Sequence, residues 1–358
     1  MSSVDVVIAV HTATRPLARA VASVVQANAA RTRLTVVCHG VAVDAVAASV
    51  PADDRRHVTW MEHHDGVASA SGPFNTGIRA ARGDYVSIMG SDDWLQRGAV
   101  DAWLDLAAAT GADCVMSRLA LGAPTRRVPA PPVRPWLPQA WLADPVRDRL
   151  SYRSAPLGLV STTARRRLGV ELTEGMPVGG DVAYVTRLWC ETRVAVARHG
   201  PGYVIGEHAP DRVTYALRPI RAELAFVSHL LAQSWFGAYP VALRRAVATK
   251  MLRIHLFGAV ARRTDPQWWS MQERRALAGL TTDVLDAASG VADSLSRADH
   301  AVLTSMLDPA SPATTLIEQA LARRRHGHPQ TLLPRRAHRA LDREAPLRFM
   351  AASWWAKR

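Results

Sequence analysis

Gly83-Asp84-Tyr85-Val86-Ser87-Ile88-Met89-Gly90-Ser91-Asp92-Asp93-Trp94 is the stretch on which the reading of this chain turns. Tyr85–Met89 has the apolar, β-prone character of a buried strand, and it runs straight into two adjacent carboxylates. In an open α/β sheet, ligands bind beyond the carboxyl ends of the strands, which is where Asp92 and Asp93 fall. Two neighbouring anions repel unless a cation or a set of donors neutralises them. A divalent ion bridging to a diphosphate would do so, because hard oxygen ligands suit Mg²⁺ or Mn²⁺. The alternative is local: Ser91-Asp92 caps the helix expected near Gly98, or makes a turn.

Outward from this strand the pattern repeats. Val4–Val10 is apolar on both faces, as a buried parallel strand should be. Leu34–Cys38 and His57–Met61 are two further strands. Arg15–Asn28, Gly72–Arg82 and Gly98–Thr110 carry apolar residues at helical spacing between them. Strands alternating with helices predict βαβ units and a mostly parallel, Rossmann-like sheet flanked by helices, the α/β class. Residues 122–138 break the rhythm with six prolines and read as a surface loop. Gly179–Cys190 is helical, and Val194–Ala197 and Tyr203–Ile205 are strand-like. Beyond Leu217 the period is helical in five segments, near 220–236, 240–262, 267–281, 297–307 and 312–325. The organisation expected is a catalytic α/β domain over 1–216, an all-α C-terminal domain over 217–325 and a basic tail over 326–358.

Composition bounds the rest. The chain has 358 residues with 48% hydrophobic and 21% charged, which excludes a disordered protein. Three scattered cysteines, Cys38, Cys114 and Cys190, make no disulfide framework and have no metal-ligand spacing. They point to a reducing, cytoplasmic compartment. The N-terminus leads directly into a strand instead of a signal peptide, and no apolar run is long enough to span a bilayer. Of the net charge of +13, most is concentrated at the C-terminus: residues 323–358 hold ten cations and two anions. Only Lys250 and Lys357 are lysines; every other cation is arginine.

The order Ser71-Gly72-Pro73-Phe74-Asn75-Thr76-Gly77-Ile78-Arg79-Ala80-Ala81-Arg82-Gly83-Asp84-Tyr85-Val86, then Ser91-Asp92-Asp93, resembles glycosyltransferase family 2, the large GT-A-fold group. The opening Val10-His11-Thr12-Ala13-Thr14-Arg15-Pro16-Leu17 fits it too, and the likeness extends over about residues 4–215. The resemblance implies a GT-A fold and transfer of a sugar from a nucleoside-diphosphate donor to an acceptor hydroxyl, metal-dependent and inverting. It implies Asp93 as metal ligand, with Asp92 beside it facing the donor's ribose or the metal. His11, Thr12 and Arg15 would line the nucleotide, and Asn75 would sit on the family's Asn before the Gly-Ile turn, or act only as a local backbone cap. Gly179-Gly180-Asp181-Val182-Ala183-Tyr184 matches the later helix start, with Gly180 where the family has Glu. Asp181 would be the base that takes the acceptor's proton, a helix N-terminal carboxylate being the bland alternative. His208, in the closing segment Gly206–Thr214, would complete the Mn²⁺ or Mg²⁺ site as a neutral imidazole.

One departure is marked. Where the family has an Asp-Asp-Gly-Ser stretch that recognises the base, this chain has Val37-Cys38-His39-Gly40, and His39 is the candidate to take over that contact. His63-His64 beside Asp65 reads as exposed loop. For the acceptor, the basic tail admits an anionic envelope glycan, polymer or lipid-linked acceptor, with Trp354, Trp355 and Arg348 resting on the inner face of a membrane as a peripheral contact. It also admits nucleic acid carrying a hydroxylated base, or a solvated face packed on the helical domain. A non-catalytic sugar-nucleotide or glycan-binding protein on the same scaffold is the reading from another class; retention of Asp92, Asp93, Asp181 and His208 together argues against it.

Overall fold

The computed structural model describes residues 2–134, 136, 138, 140–207 and 216–356. Its centre is an eight-stranded sheet. Strands β1 (Val4–Val10), β2 (Thr32–His39), β3 (Val58–His63) and β4 (Tyr85–Gly90) run parallel in the order β3-β2-β1-β4. The sheet then continues past β4. A short pair, β5 (Trp94–Leu95), leaves it, and β6 (Cys114–Met116) rejoins it two places along. Between them lies β10 (Gly158–Ser161), antiparallel to both neighbours. β11 (Val194–Val196) runs parallel to β6, and β9 (Leu142–Ala143) closes the edge. The carboxyl ends of β1–β4, β6 and β11 therefore all open on one side of the sheet.

Both faces are covered, as continuous apolar strands require. Val4, Val6, Ile8 and Val10 pack against the helix Leu17–Val25 and the helix Ala99–Thr110; Val7, Val37 and Ile88 face the opposite way, toward Ile78 and Trp189. The helix Ser71–Ala80 lies close on β1 because Gly77 has no side chain: a Cβ there would stand 2.3 Å from Val7 Cγ1.

A second, four-stranded sheet extends from the strand-end side, in the order β5-β12-β7-β8, where β7 is Leu119–Leu121, β8 Arg126–Val128 and β12 Tyr203–Ile205. The stretch 122–138, expected as surface loop, supplies β8, and Pro131, Pro132 and Val133 in it are buried. Its prolines sit outside the paired residues, which is how a proline-rich segment can still contribute an edge strand.

From Ile220 onward the chain is helical and has its own apolar core around Leu230, Val247, Leu256, Leu277 and Val302. The segment expected at 240–262 is one rod with a flaw: Val241–Lys250 is α-helical, Met251–Leu256 is a π-turn, and Phe257–Arg262 resumes the α-helix. Such bulges insert a residue and concentrate at functional sites. The basic tail is docked. Ala345 is fully buried, Glu344 meets Arg149 and Arg253, and Phe349 stacks near Tyr152.

Candidate active site

The carboxylate pair is built by the end of β4 and held from two sides. The Tyr203 hydroxyl donates to Asp93 Oδ2 at 2.5 Å while accepting from the Gly90 amide at 3.0 Å. The Gly206 amide donates to Asp93 Oδ1 at 2.8 Å. Burial, and then the Asp93 charge, raise the Tyr203 pKa well above its ordinary value, so it stays a proton donor. Asp93 is thereby locked in orientation. Asp92 faces Arg15, Oδ2 to Nη1 3.4 Å, both largely buried. Its backbone carbonyl accepts from Arg19, whose guanidinium lies 3.8 Å from the Trp94 ring centroid. The donor set fits a hard divalent ion: two adjacent carboxylates, one oriented by donors and one beside a cation. His208 lies outside the described residues.

His11, Thr12 and Arg15 follow β1 at its carboxyl end, on the same side as the pair, and Thr12 Oγ1 lies 3.0 Å from Thr14 Oγ1. His39 ends β2 and is engaged: its Nε2 lies 2.7 Å from Asp65 Oδ1. His63 ends β3 and reaches the other oxygen, Nε2 to Oδ2 3.0 Å, while its Nδ1 meets Thr76 Oγ1 at 2.9 Å. Bonds from the Val67 amide, His39 and His63 depress the Asp65 pKa. His63 is thus part of a half-buried cluster and not the exposed loop expected for it; the strand runs two residues further than the pattern suggested.

Asn75 is engaged within the protein. It is 1% exposed, its amide nitrogen donates to Leu172 O (2.9 Å) and Glu174 Oε1 (2.8 Å), and its oxygen accepts from Leu172 N (3.0 Å). With those bonds it straps the segment before Asp181. The same segment explains Gly180: a Cβ there would stand 2.2 Å from Ser71 Oγ and 2.5 Å from Thr173 O. A glutamate has no room.

Asp181 precedes the helix Val182–Glu191, which runs back antiparallel to β11, so its N-terminus lies on the strand-end side. The carboxylate makes no capping hydrogen bond. Burial pushes its pKa up from 3.8 to about 6, partly offset by the charge of Lys250. Lys250 closes the rod before the π-turn, is 1% exposed, and donates to Ser154 Oγ and His255 Nε2 at 2.7 Å each. Burial lowers it to about 7, and holds His255 neutral by depressing its pKa well below normal. Sequence reasoning passed over Lys250 and Tyr203. For Lys250 a signal existed: it is one of two lysines in a chain that otherwise uses arginine.

An open, largely parallel sheet with a carboxylate pair at a central strand end, and a second carboxylate of raised pKa at a helix start on the same side, defines the GT-A-like class. Residues 5–144 match the sequence model of glycosyl transferase family 2. The chain is a glycosyltransferase. No curated protein matches its sequence. Among solved structures, 90% of the chain superposes on 92% of S. aureus TarS 1–349 in complex with UDP-GlcNAc, with TM-score 0.74 at 11% identity. TarS 1–349 alone gives 0.66 at 12% identity over 90% and 91% of the two chains. Against the longer TarS structure the match covers 89% of this chain and 55% of that one. The likeness at these identities is one of fold, and it extends through the helical domain.

Proposed function

We propose that the protein is a metal-dependent, inverting glycosyltransferase that moves a sugar from a nucleoside-diphosphate donor to an acceptor hydroxyl. The observation that carries this reading is Asp181: a half-buried carboxylate with no capping hydrogen bond, at a helix start on the ligand side of the sheet, where desolvation raises its pKa to about 6. A base works best when its pKa lies near the working pH. Asp92 and Asp93 would hold Mn²⁺ or Mg²⁺, which when bound supplies Lewis-acid neutralisation of the departing diphosphate. Tyr203 and the Gly206 amide keep Asp93 aimed, and Arg15 balances Asp92. Asp181 takes the proton from the acceptor oxygen as that oxygen attacks, and Lys250 steadies the carboxylate before the proton arrives. His39 lies where the nucleotide base would be met, already oriented by Asp65.

For the acceptor, the C-terminal surface supports an anionic or lipid-linked molecule at a membrane face. Arg324, Arg325, Arg335, Arg336 and Arg348 are exposed, and Leu341, Leu347, Met350, Trp354 and Trp355 are exposed among them. That mixture of cations and apolar side chains suits an interface better than a bare nucleic-acid backbone does. Among the described residues no helix is long and apolar enough to cross a membrane.

The test is hydrolysis and binding of UDP-, GDP- and dTDP-sugars with Mn²⁺, which needs no knowledge of the acceptor. Asp93→Ala is expected to lose metal-dependent donor binding. Asp181→Asn is expected to bind donor normally and lose turnover. Turnover by Asp181→Asn near wild type would refute the base assignment, and turnover unaffected by EDTA would refute the metal.

A further inference from the structure

A cavity of about 290 Å³ lies beyond the carboxyl ends of β6 and β11, on the ligand side of the sheet but along its other half. Arg118, Arg127, Arg153, Arg198 and His199 line it, and Trp355 of the C-terminal helix stands at its edge. Among the described residues no carboxylate lines it.

Among the described residues, Arg118, Arg127 and Arg153 are held by carbonyls and not by anions. Arg153, 3% exposed, donates to Ser117 O (2.7 Å), Ala130 O (2.6 Å) and Leu157 O (3.2 Å), and its Nε is buried with no partner. Arg118 donates to Gly200 O (2.9 Å) and also leaves a buried Nε unpartnered. Arg127 donates to Arg198 O (2.7 Å). The charge of Asp148 acts on Arg198, and Asp148 is itself fully buried in a pair with Arg134 at 2.8 Å. The cations feel one another: burial and then Arg118 and Arg198 lower the Arg127 pKa, and burial with all three arginines lowers that of His199.

Gathering like charges in a half-buried hollow is unfavourable unless a counter-charge joins them. Arginine forks with free N–H groups match the geometry of tetrahedral oxyanions. The volume is that of about ten waters, more than a bare anion needs and near the lower end for small-molecule sites. We propose that this cavity is a binding site for a phosphate-type oxyanion, either free or as the phosphoryl group of a small organic ligand. It is separate from the carboxylate pair and does not rest on the transferase reading.

The test is calorimetric and thermal-shift titration of the full chain with inorganic phosphate, against chloride at equal ionic strength. Phosphate also visits nucleotide sites, so the readout is the difference between wild type and the double variant Arg118→Gln/Arg127→Gln. Wild type is expected to bind phosphate at least about tenfold more tightly than the variant, since each charged fork is worth a tenfold factor or more. In chloride the variant is expected to melt no lower than wild type, because repulsion has been relieved. Should the double variant not fold, Arg127→Lys carries the same comparison, keeping the charge and losing the fork. Tighter binding of glycerol 3-phosphate than of phosphate would identify an organic ligand seated against Trp355; equal binding would identify the free anion. No phosphate effect beyond chloride, or an effect unchanged in the variants, overturns the proposal.

Discussion

Replacing Asp181 with Asn separates a base from a structural cap by the sign of the stability change. The carboxylate has a folded pKa of about 6 against 3.8 for the free group, raised by burial. Between those two pH values the native state holds a proton that the unfolded chain has released, so stability falls as pH rises. The cost is absent below pH ~4, grows through the window, and is complete above pH ~6. At 1.36 kcal/mol per unit it amounts to about 3 kcal/mol. Asp181→Asn removes the ionisation and with it this slope. Urea unfolding of both proteins at pH 4 and pH 8 is the assay. The variant is expected to gain on wild type by about 2–3 kcal/mol between the two pH values while losing sugar transfer by a factor of ~10² or more. Lys250, lowered to about 7, has largely lost its proton in the native state of both proteins by pH 8, so its own titration largely cancels in the comparison. A cap would give the opposite: loss of about 1 kcal/mol on substitution at neutral pH. A variant destabilised at pH 8 and no better relative to wild type than at pH 4 would refute the account of Asp181 as a strained, desolvated base.

Three further substitutions test the surroundings. Lys250→Met takes away the cation that favours ionised Asp181, so the acid limb of the kcat/KM profile is expected to move up by about one pH unit; an unmoved limb would disconnect the two groups. Tyr203→Phe removes a charged hydrogen bond and strands the Gly90 amide, for an expected loss of about 2–4 kcal/mol in denaturant unfolding and a weakening of Mn²⁺ binding by about tenfold or more. Metal affinity equal to wild type would show that the orientation of Asp93 is immaterial. Glu344→Gln breaks a buried cluster with Arg149, Arg253 and Tyr152, and about 3 kcal/mol of stability is expected to go with it. It follows that the acceptor surface should be probed by exchanging Arg324, Arg325, Arg335 and Arg336 for Gln, not by deleting the segment.

The half of the fold legible in the sequence is the half with regular periods. Val4–Val10, Tyr85–Met89 and the helix at 99–110 announce themselves because burial on both faces or one face imposes its spacing on a dozen residues. β10, at Gly158–Ser161, is antiparallel inside a parallel sheet and four residues long, and no period survives in four residues. β8 was hidden by prolines that flank its paired positions. Among site residues, Asp92, Asp93 and Asp181 are legible because a carboxylate after a strand, or before a helix, is a local pattern. Asn75 has a local pattern too, but that pattern does not show its partners: Leu172 and Glu174, which claim its amide, are about a hundred residues away. Tyr203 and Lys250 gain their meaning only from contacts across 110 residues or between domains, which composition and spacing do not encode.

The division of the chain also separates the two halves of the site. The family match, 5–144, contains the strand ends, His39, Asp65 and the carboxylate pair, the groups proposed to meet the donor. Every group placed around the acceptor's proton lies beyond it: Asp181 and Gly180, and Lys250 from the helical domain. Asn75 links them, since it grows from the matched segment and pins 172–174, which leads into Asp181. The π-turn adds to this. Inserting a residue between Lys250 and Phe257 lets one rod bring Lys250, backed by His255, to Ser154 and within the field of Asp181 while Leu256 and Phe257 stay in the helical core. A regular helix would rotate one of these sets away by about 100° for the one residue inserted, at 3.6 residues per turn. The helical domain thus does more than cover the sheet. It sets the charge of Lys250 beside Asp181, outside the segment, 5–144, that matches the family model.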